Sequence, residues 1–233
     1  MFYNESNKDY NSYQQESEII KEIERYREAV RRGKVRCILP PCKRCNLPSD
    51  HFARHEKRPR QFYVIVAQIV RVVMCLLGRW KCPGCGKTFT QYPGFALPYK
   101  RYILQNMMGY SKSYVEDDQM TYRKVIGKCP AEYQRDEKDK CELSHSSVYR
   151  WITTFGGFME TIRNAQQLII EADPLNTVSR DLGRLTVNSK KFTTEVRKSA
   201  LIRCRRLLHV ARIYYRQFNI SIFPNLGTKS AFS

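Results

Sequence analysis

Apolar positions in this chain follow two periods, and the switches between them mark its elements. Over residues 16–32 the spacing is helical: Ile19, Ile23, Tyr26 and Val30 share one face, and Gly33 is placed to end the helix. Residues 1–14 are polar and tyrosine-rich and read as a disordered lead. The runs 62–66 and 69–77 are β-branched and aromatic and predict strands, and 87–92 alternates as a third. The basic run 54–60 just before them reads as a turn. Past Pro93 and Pro98 the helical period returns over 99–115, with Ile103, Met107, Tyr110 and Tyr114 on one face. A second short helix is expected over 119–126, and 128–142 is a loop or weak helix. Val148, Trp151, Ile152 and Phe155 stand at i, i+3, i+4 and i+7, with Ser144 as N-cap and Gly156-Gly157 as the stop. Residues 158–171 continue as an amphipathic helix, 175–192 read as a loop, and 193–218 as a long helix. Its expected apolar face is Val196, Ala200, Cys204, Leu207, Leu208 and Ala211, and the tail 221–233 is expected to be loosely held. The fold class is α+β: a small ribbon-like sheet, then a mostly helical region with a long basic C-terminal helix. Its expected parts are 1–35, 36–97, 98–157 and 158–233.

Cysteine spacing changes this picture most. Cys42 and Cys45 form one CxxC pair, and Cys82 and Cys85 a second within Cys-Pro-Gly-Cys-Gly-Lys. Each pair lets one tight turn offer two sulfurs to one ion, and Gly86 permits a left-handed backbone just after the second. The 36 residues between Cys45 and Cys82 suit strands that join two knuckles. Four thiolates without an open position describe a structural Zn²⁺ site, a zinc ribbon. Cys37 is a spare ligand candidate, His51 and His55 are surface residues, and Cys75 belongs to an apolar run.

Charge then narrows the partner. The 233 residues carry 41 Lys and Arg against 22 Asp and Glu, a formal net charge of +19. Such an excess points to a polyanion. It is concentrated over residues 31–112, where Asp50 and Glu56 are the two acids. Arg54, Lys57, Arg58 and Arg60 are candidate phosphate contacts on the ribbon. Ser146, Ser147, Tyr149 and Arg150 form a small polar and basic face on the helix after Ser144, the composition of a helix that enters the major groove. Arg203 and Arg206 belong to a stretch, residues 196–216, with seven basic residues and no acid, a second phosphate-contacting candidate. RNA or single-stranded nucleic acid is the alternative partner, since Phe62, Tyr63 and Tyr92 offer stacking surfaces. No apolar run is long enough to span a membrane, and reduced thiols suit a cytoplasmic setting.

Several segments together carry a resemblance: Pro41-Cys42-Lys43-Arg44-Cys45, residues 79–90 around the second knuckle, Phe95-Ala96-Leu97-Pro98-Tyr99-Lys100-Arg101-Tyr102, and Leu143 through Trp151. They resemble a bacterial transposase-related family of uncharacterised proteins, and the knuckle region looks like the zinc-binding front end of insertion-sequence transposases. The resemblance covers roughly residues 36–157. It implies a zinc ribbon followed by a helix-turn-helix, binding to mobile-element DNA ends, and a nucleoid-associated location in a bacterial cytoplasm. A catalytic transposase subunit and a second copy of this chain are the further partners it implies. A divergent DNA transposase is the enzymatic alternative. Strand transfer needs clustered carboxylates, and after Gly157 the acids are Glu160, Glu171, Asp173, Asp181 and Glu195, none following an apolar strand. No catalytic residue is assigned.

Overall fold

The computed structural model describes residues 6–133 and 143–223, the first twelve of them by backbone course alone. The fold is α+β, and the described chain groups into two compact units. The first holds residues up to Leu104 together with 131–133. The second holds 105–130 and 143–223. No described helix is long and apolar enough to cross a membrane.

The first unit is built on a long hairpin. Strand β1 (Ala53–Val66) pairs antiparallel with β2 (Ile69–Lys81) along its whole length, with a register shift between Arg54 and Glu56. Strand β3 (Thr88–Thr90) pairs antiparallel with the far end of β2, and the two-residue β4 (Glu132–Tyr133) pairs parallel with its start. β2 is therefore central and β1 an edge strand, the position that tolerates Pro59. The outer edge of β1 is met at Tyr63, whose N–H donates to the Arg101 carbonyl at 2.8 Å and whose carbonyl accepts from Ile103 N–H at 3.2 Å. Ala67 and Gln68 make the hairpin turn, with φ of 48° and 65°.

Helix α1 (Ser6–Arg31) begins ten residues before the 16–32 stretch that periodicity picks out, within the segment read as a disordered lead. Its Ile19 and Ile23 pack on Phe62, Val64, Val66, Cys75 and Leu77 of the hairpin, with Phe95 and Ile103 closing that core. Gly33 ends the helix at φ +71°, as its placement predicts.

The basic run 54–60 is not a turn. It is the first half of β1, paired with 75–80 apart from the register shift at residue 55, and residues 53–59 are exposed on both faces. Strand pairing, rather than burial, makes this segment extended. That is why hydrophobic alternation does not reveal it.

The second unit is helical. Helix α2 (Leu104–Glu116) starts five residues later than the predicted 99–115, but Met107, Tyr110 and Tyr114 are buried on its inner face as expected. Helix α3 (Tyr122–Lys128) has Thr121 as its N-cap. Helix α4 (His145–Phe155) buries Val148, Trp151, Ile152 and Phe155, and the Ser144 hydroxyl accepts from Ser146 N–H at 3.3 Å. Helix α5 (Met159–Ala172) follows after only Gly156, Gly157 and Phe158. Helix α6 (Val178–Arg184) lies where a loop was expected, and buries Val178 and Leu182.

Helix α7 (Glu195–Phe218) is the long basic helix. Its buried residues are Leu201, Cys204, Leu207, Leu208, Val210 and Ala211, while Val196 is 82% exposed. Cys204, Leu207, Leu208 and Ala211 are thus buried as predicted, with Leu201 and Val210 beside them, while Val196 in the first turn is exposed and Ala200 half-buried. Of the 128–142 segment, 134–142 lie outside the described residues, as does the tail beyond 223.

Candidate metal centre and the basic surfaces beside it

Two turns with the same construction carry the cysteines. In the first, Asn46 N–H donates to Cys42 O at 2.7 Å and Cys42 N–H to Leu47 O at 2.8 Å. In the second, Gly86 N–H donates to Cys82 O and Cys82 N–H to Lys87 O, both at 2.9 Å. The residue after each second cysteine is left-handed, Asn46 at φ 57° and Gly86 at φ 72°. Asparagine is among the few non-glycine residues that adopt this conformation readily. The two knuckles are therefore equivalent, although only the glycine advertises the turn.

The hairpin joins them. β1 leaves the first knuckle and β2 returns to the second, which brings all four sulfurs within 4.8 Å of one another. Cys42 Sγ lies 3.5 Å from Cys85 Sγ, and Cys45 Sγ lies 3.4 Å from Cys82 Sγ. Tetrahedral coordination at zinc–sulfur bond lengths separates sulfurs by about 3.8 Å, so the quartet needs only a slight expansion to hold one ion. Gly84 keeps the space clear: a Cβ there would touch Cys45 Sγ at 3.4 Å. Burial raises the Cys42 thiol, but backbone N–H groups of Arg44 and Cys45, with the neighbouring thiols, lower it to about 6. For Cys45 the Leu47 amide works in the same lowering sense, but hydrogen bonds from Cys82, burial and the other two thiols raise it to about 12. Four thiols this close share protons, so the first leaves easily and later ones are held. A cation replacing those protons relieves that competition.

The surroundings are apolar. Leu39, Phe52 and Trp80 are buried around Cys42 and Cys82, and Phe52 stacks on Phe89 at 5.3 Å between ring centroids. Gln91, only 4% exposed, was not singled out by sequence. Its side-chain amide donates to Arg36 O at 3.0 Å and accepts from Ile38 N–H at 3.1 Å, tying the lead into the first knuckle to the strand leaving the second. Cys37 packs beside this core but is not among the four convergent thiols, and His51 and His55 are exposed. Among the described residues, no other group of three or more His, Cys, Asp or Glu comes together in this way.

The ribbon's basic residues divide into two pairs. Arg54 donates to the carbonyls of Gly33 and Val35, just past α1, and Lys57 Nζ to that of Arg31, the last residue of the helix, at 2.6 Å. Arg58 is exposed on β1, and Arg60, half-buried, follows it on the same strand. Glu56, the acid in this run, is hydrogen-bonded by Arg79, which holds its carboxyl below the usual range.

On the second unit, Arg150 is exposed on α4, and Ser146 and Ser147 are half-buried near its start. Tyr149 is 47% exposed, with the Arg197 guanidinium 4.2 Å over its ring. Arg197 also lies over Tyr122, which stacks on Tyr114 at 4.0 Å. This inward arginine joins α3, α4 and α7. On α7, Arg203 is exposed and Arg206 half-buried.

Compared with protein-family models, curated proteins and solved structures, the chain matches none.

Proposed function

We propose that the chain is a DNA-binding protein of a mobile genetic element, transposase-related and without a strand-transfer centre of its own, whose cysteine quartet holds a structural Zn²⁺. An all-thiolate, four-donor set, with Cys42 and Cys82 buried, suits zinc in a structural role. The observation that carries the nucleic-acid reading is the exposed first half of β1. A two-stranded ribbon is narrow enough to enter a DNA major groove. Here one strand of such a ribbon, uncovered on both faces, presents Arg58 and Arg60 with His55 beside them. Arg54 and Lys57 orient the strand through α1 and add to its positive field. Arg150, Ser147 and Ser146 on α4, with Arg203 on α7, supply a second basic surface. A catalytic transposase subunit and a second copy of the chain are the protein partners consistent with this reading.

The experiment is fluorescence anisotropy of a labelled DNA duplex titrated with the zinc-loaded protein across a salt series. Phosphate contacts give log–log slopes near −0.9 per contact. Arg58→Ala and Arg203→Ala are each expected to reduce that slope by about one. Absence of binding at low salt, or affinity independent of salt, overturns the reading.

A further inference from the structure

A cavity of about 310 Å³ opens within the second unit, lined by α2, α7 and the segment that follows α7. Asn219, left-handed at φ 54°, ends α7, and Ser221 Oγ accepts from Phe223 N–H at 3.2 Å in the segment beyond. Met108, Leu208, Ala211 and Phe223 give the cavity an apolar floor, the last three of them buried. Lys112 of α2 and Arg212 of α7 line it as well, and both are exposed. Lys112 Nζ lies 3.9 Å from Glu116, the acid among the described lining residues. Arg212 stands 3.5 Å from His209 Nδ1, and among the described residues no carboxylate pairs with it.

Gly109 lines the same cavity from the interior of α2. A glycine inside a helix costs stability relative to alanine, and close packing is the usual structural reason to keep one. Close packing does not apply at 109, where a Cβ would meet nothing within 4 Å. The glycine leaves its helix flank open toward the cavity.

We infer that this cavity binds a small amphipathic monoanion, a carboxylate on an aliphatic or aromatic body, with the carboxylate on Arg212 and Lys112 and the body on the apolar floor beside Gly109. A concave apolar lining with a few placed charges is the composition of small-ligand sites, and the volume stands at their lower end. The guanidinium fork matches a carboxylate in two parallel hydrogen bonds. Two cations against one acid balance a single negative charge, not the two of a phosphate. The inference does not depend on the nucleic-acid reading.

The test is isothermal titration calorimetry of the full chain with octanoate, octanol and acetate. Octanoate is expected to bind with Kd on the order of 0.1 mM, octanol roughly tenfold more weakly and acetate not at all. Arg212→Ala should bring octanoate down to the affinity of octanol and leave octanol unchanged. Gly109→Leu fills the open flank: it should abolish octanoate binding while raising Tm by about 3 °C through helix propensity. Equal affinity for octanoate and octanol, octanoate binding untouched by either substitution, or no binding up to about 5 mM overturns the inference. A lowered Tm in Gly109→Leu overturns it too, since packing then accounts for the glycine. So does roughly tenfold tighter octanoate binding by a chain ending at Phe223, which makes the segment beyond that residue the occupant.

Discussion

Arg54 donates a 2.6 Å hydrogen bond to the carbonyl of Gly33, twenty-one residues earlier, and thereby ties the end of α1 to the start of the hairpin. A Cβ at 33 would stand 2.1 Å from the Arg54 guanidinium, so any larger residue there must displace the arginine tip. Gly33 lies just past the helix, while the last carbonyls of the helix itself lack intrahelical donors and carry partial negative charge, so cations settle there too. Lys57, bonded to Arg31 O, repeats the device one step along. Arg54→Ala is expected to cost about 1 kcal/mol of stability, less than a buried charged bond because the group is exposed. Gly33→Ala should cost more, through both φ and the clash. Thermal unfolding followed by circular dichroism checks both, and hydrogen exchange should show the loss concentrated in α1.

Acid should loosen the same helix. Hydrogen bonds from Arg31 and Arg32 hold the Glu28 carboxyl down to about 2, against an ordinary carboxylate value of 4.5. A depressed folded-state pKa means a contribution fully present above the unfolded value and lost as pH falls through the folded one. The window is therefore about pH 4.5 to 2. The group is solvent-exposed, so the effect is small, and Glu28→Gln should flatten the pH dependence of α1 helicity across that window while leaving neutral-pH behaviour nearly unchanged.

The hairpin turn offers a gain. Ala67 and Gln68 both occupy the left-handed region between Val66 and Ile69, which are paired across the turn. This geometry favours Asn-Gly. Replacing the two residues with Asn-Gly is expected to stabilise the first unit by about 1 kcal/mol, read as a raised urea midpoint with an unchanged m-value.

Gly156, the C-cap of α4, lies close against α7, where a Cβ would stand 2.8 Å from Ala200 O and 3.1 Å from Ala200 Cα. Backbone cannot yield as a side-chain tip does. Gly156→Ala should cost about 1–3 kcal/mol, and Gly157→Ala, one residue on and exposed, much less.

Where chemistry is tied to short spacing, the sequence is informative. The CxxC pairs, Gly33, Gly86 and the Val148-Trp151-Ile152-Phe155 stripe all express local rules, and each sits as those rules require. What stays hidden depends on distant partners. Residues 53–60 are a strand because 75–81 lie alongside, and with neither face of 53–59 buried no alternation appears. Val196 fits the apolar spacing of α7 yet stands exposed in its first turn, because spacing alone does not say where along its length a helix meets its neighbours. Asn46 matches Gly86 in backbone role yet carries no glycine signal. Tyr99 follows Pro98 in a turn and stands at φ 63°, a conformation that the sequence alone does not show.

The convergence of Cys42, Cys45, Cys82 and Cys85 is tested most directly by metal analysis of the purified chain with cobalt replacement. The account predicts one zinc per chain, and a Co²⁺ form with the intense thiolate charge-transfer and tetrahedral ligand-field bands of an all-sulfur site. Cys45→Ser should weaken those bands, and removal of the metal should melt the ribbon before the helical unit. A chain that purifies without stoichiometric metal, binds no Co²⁺, and unfolds identically with and without chelator would contradict it.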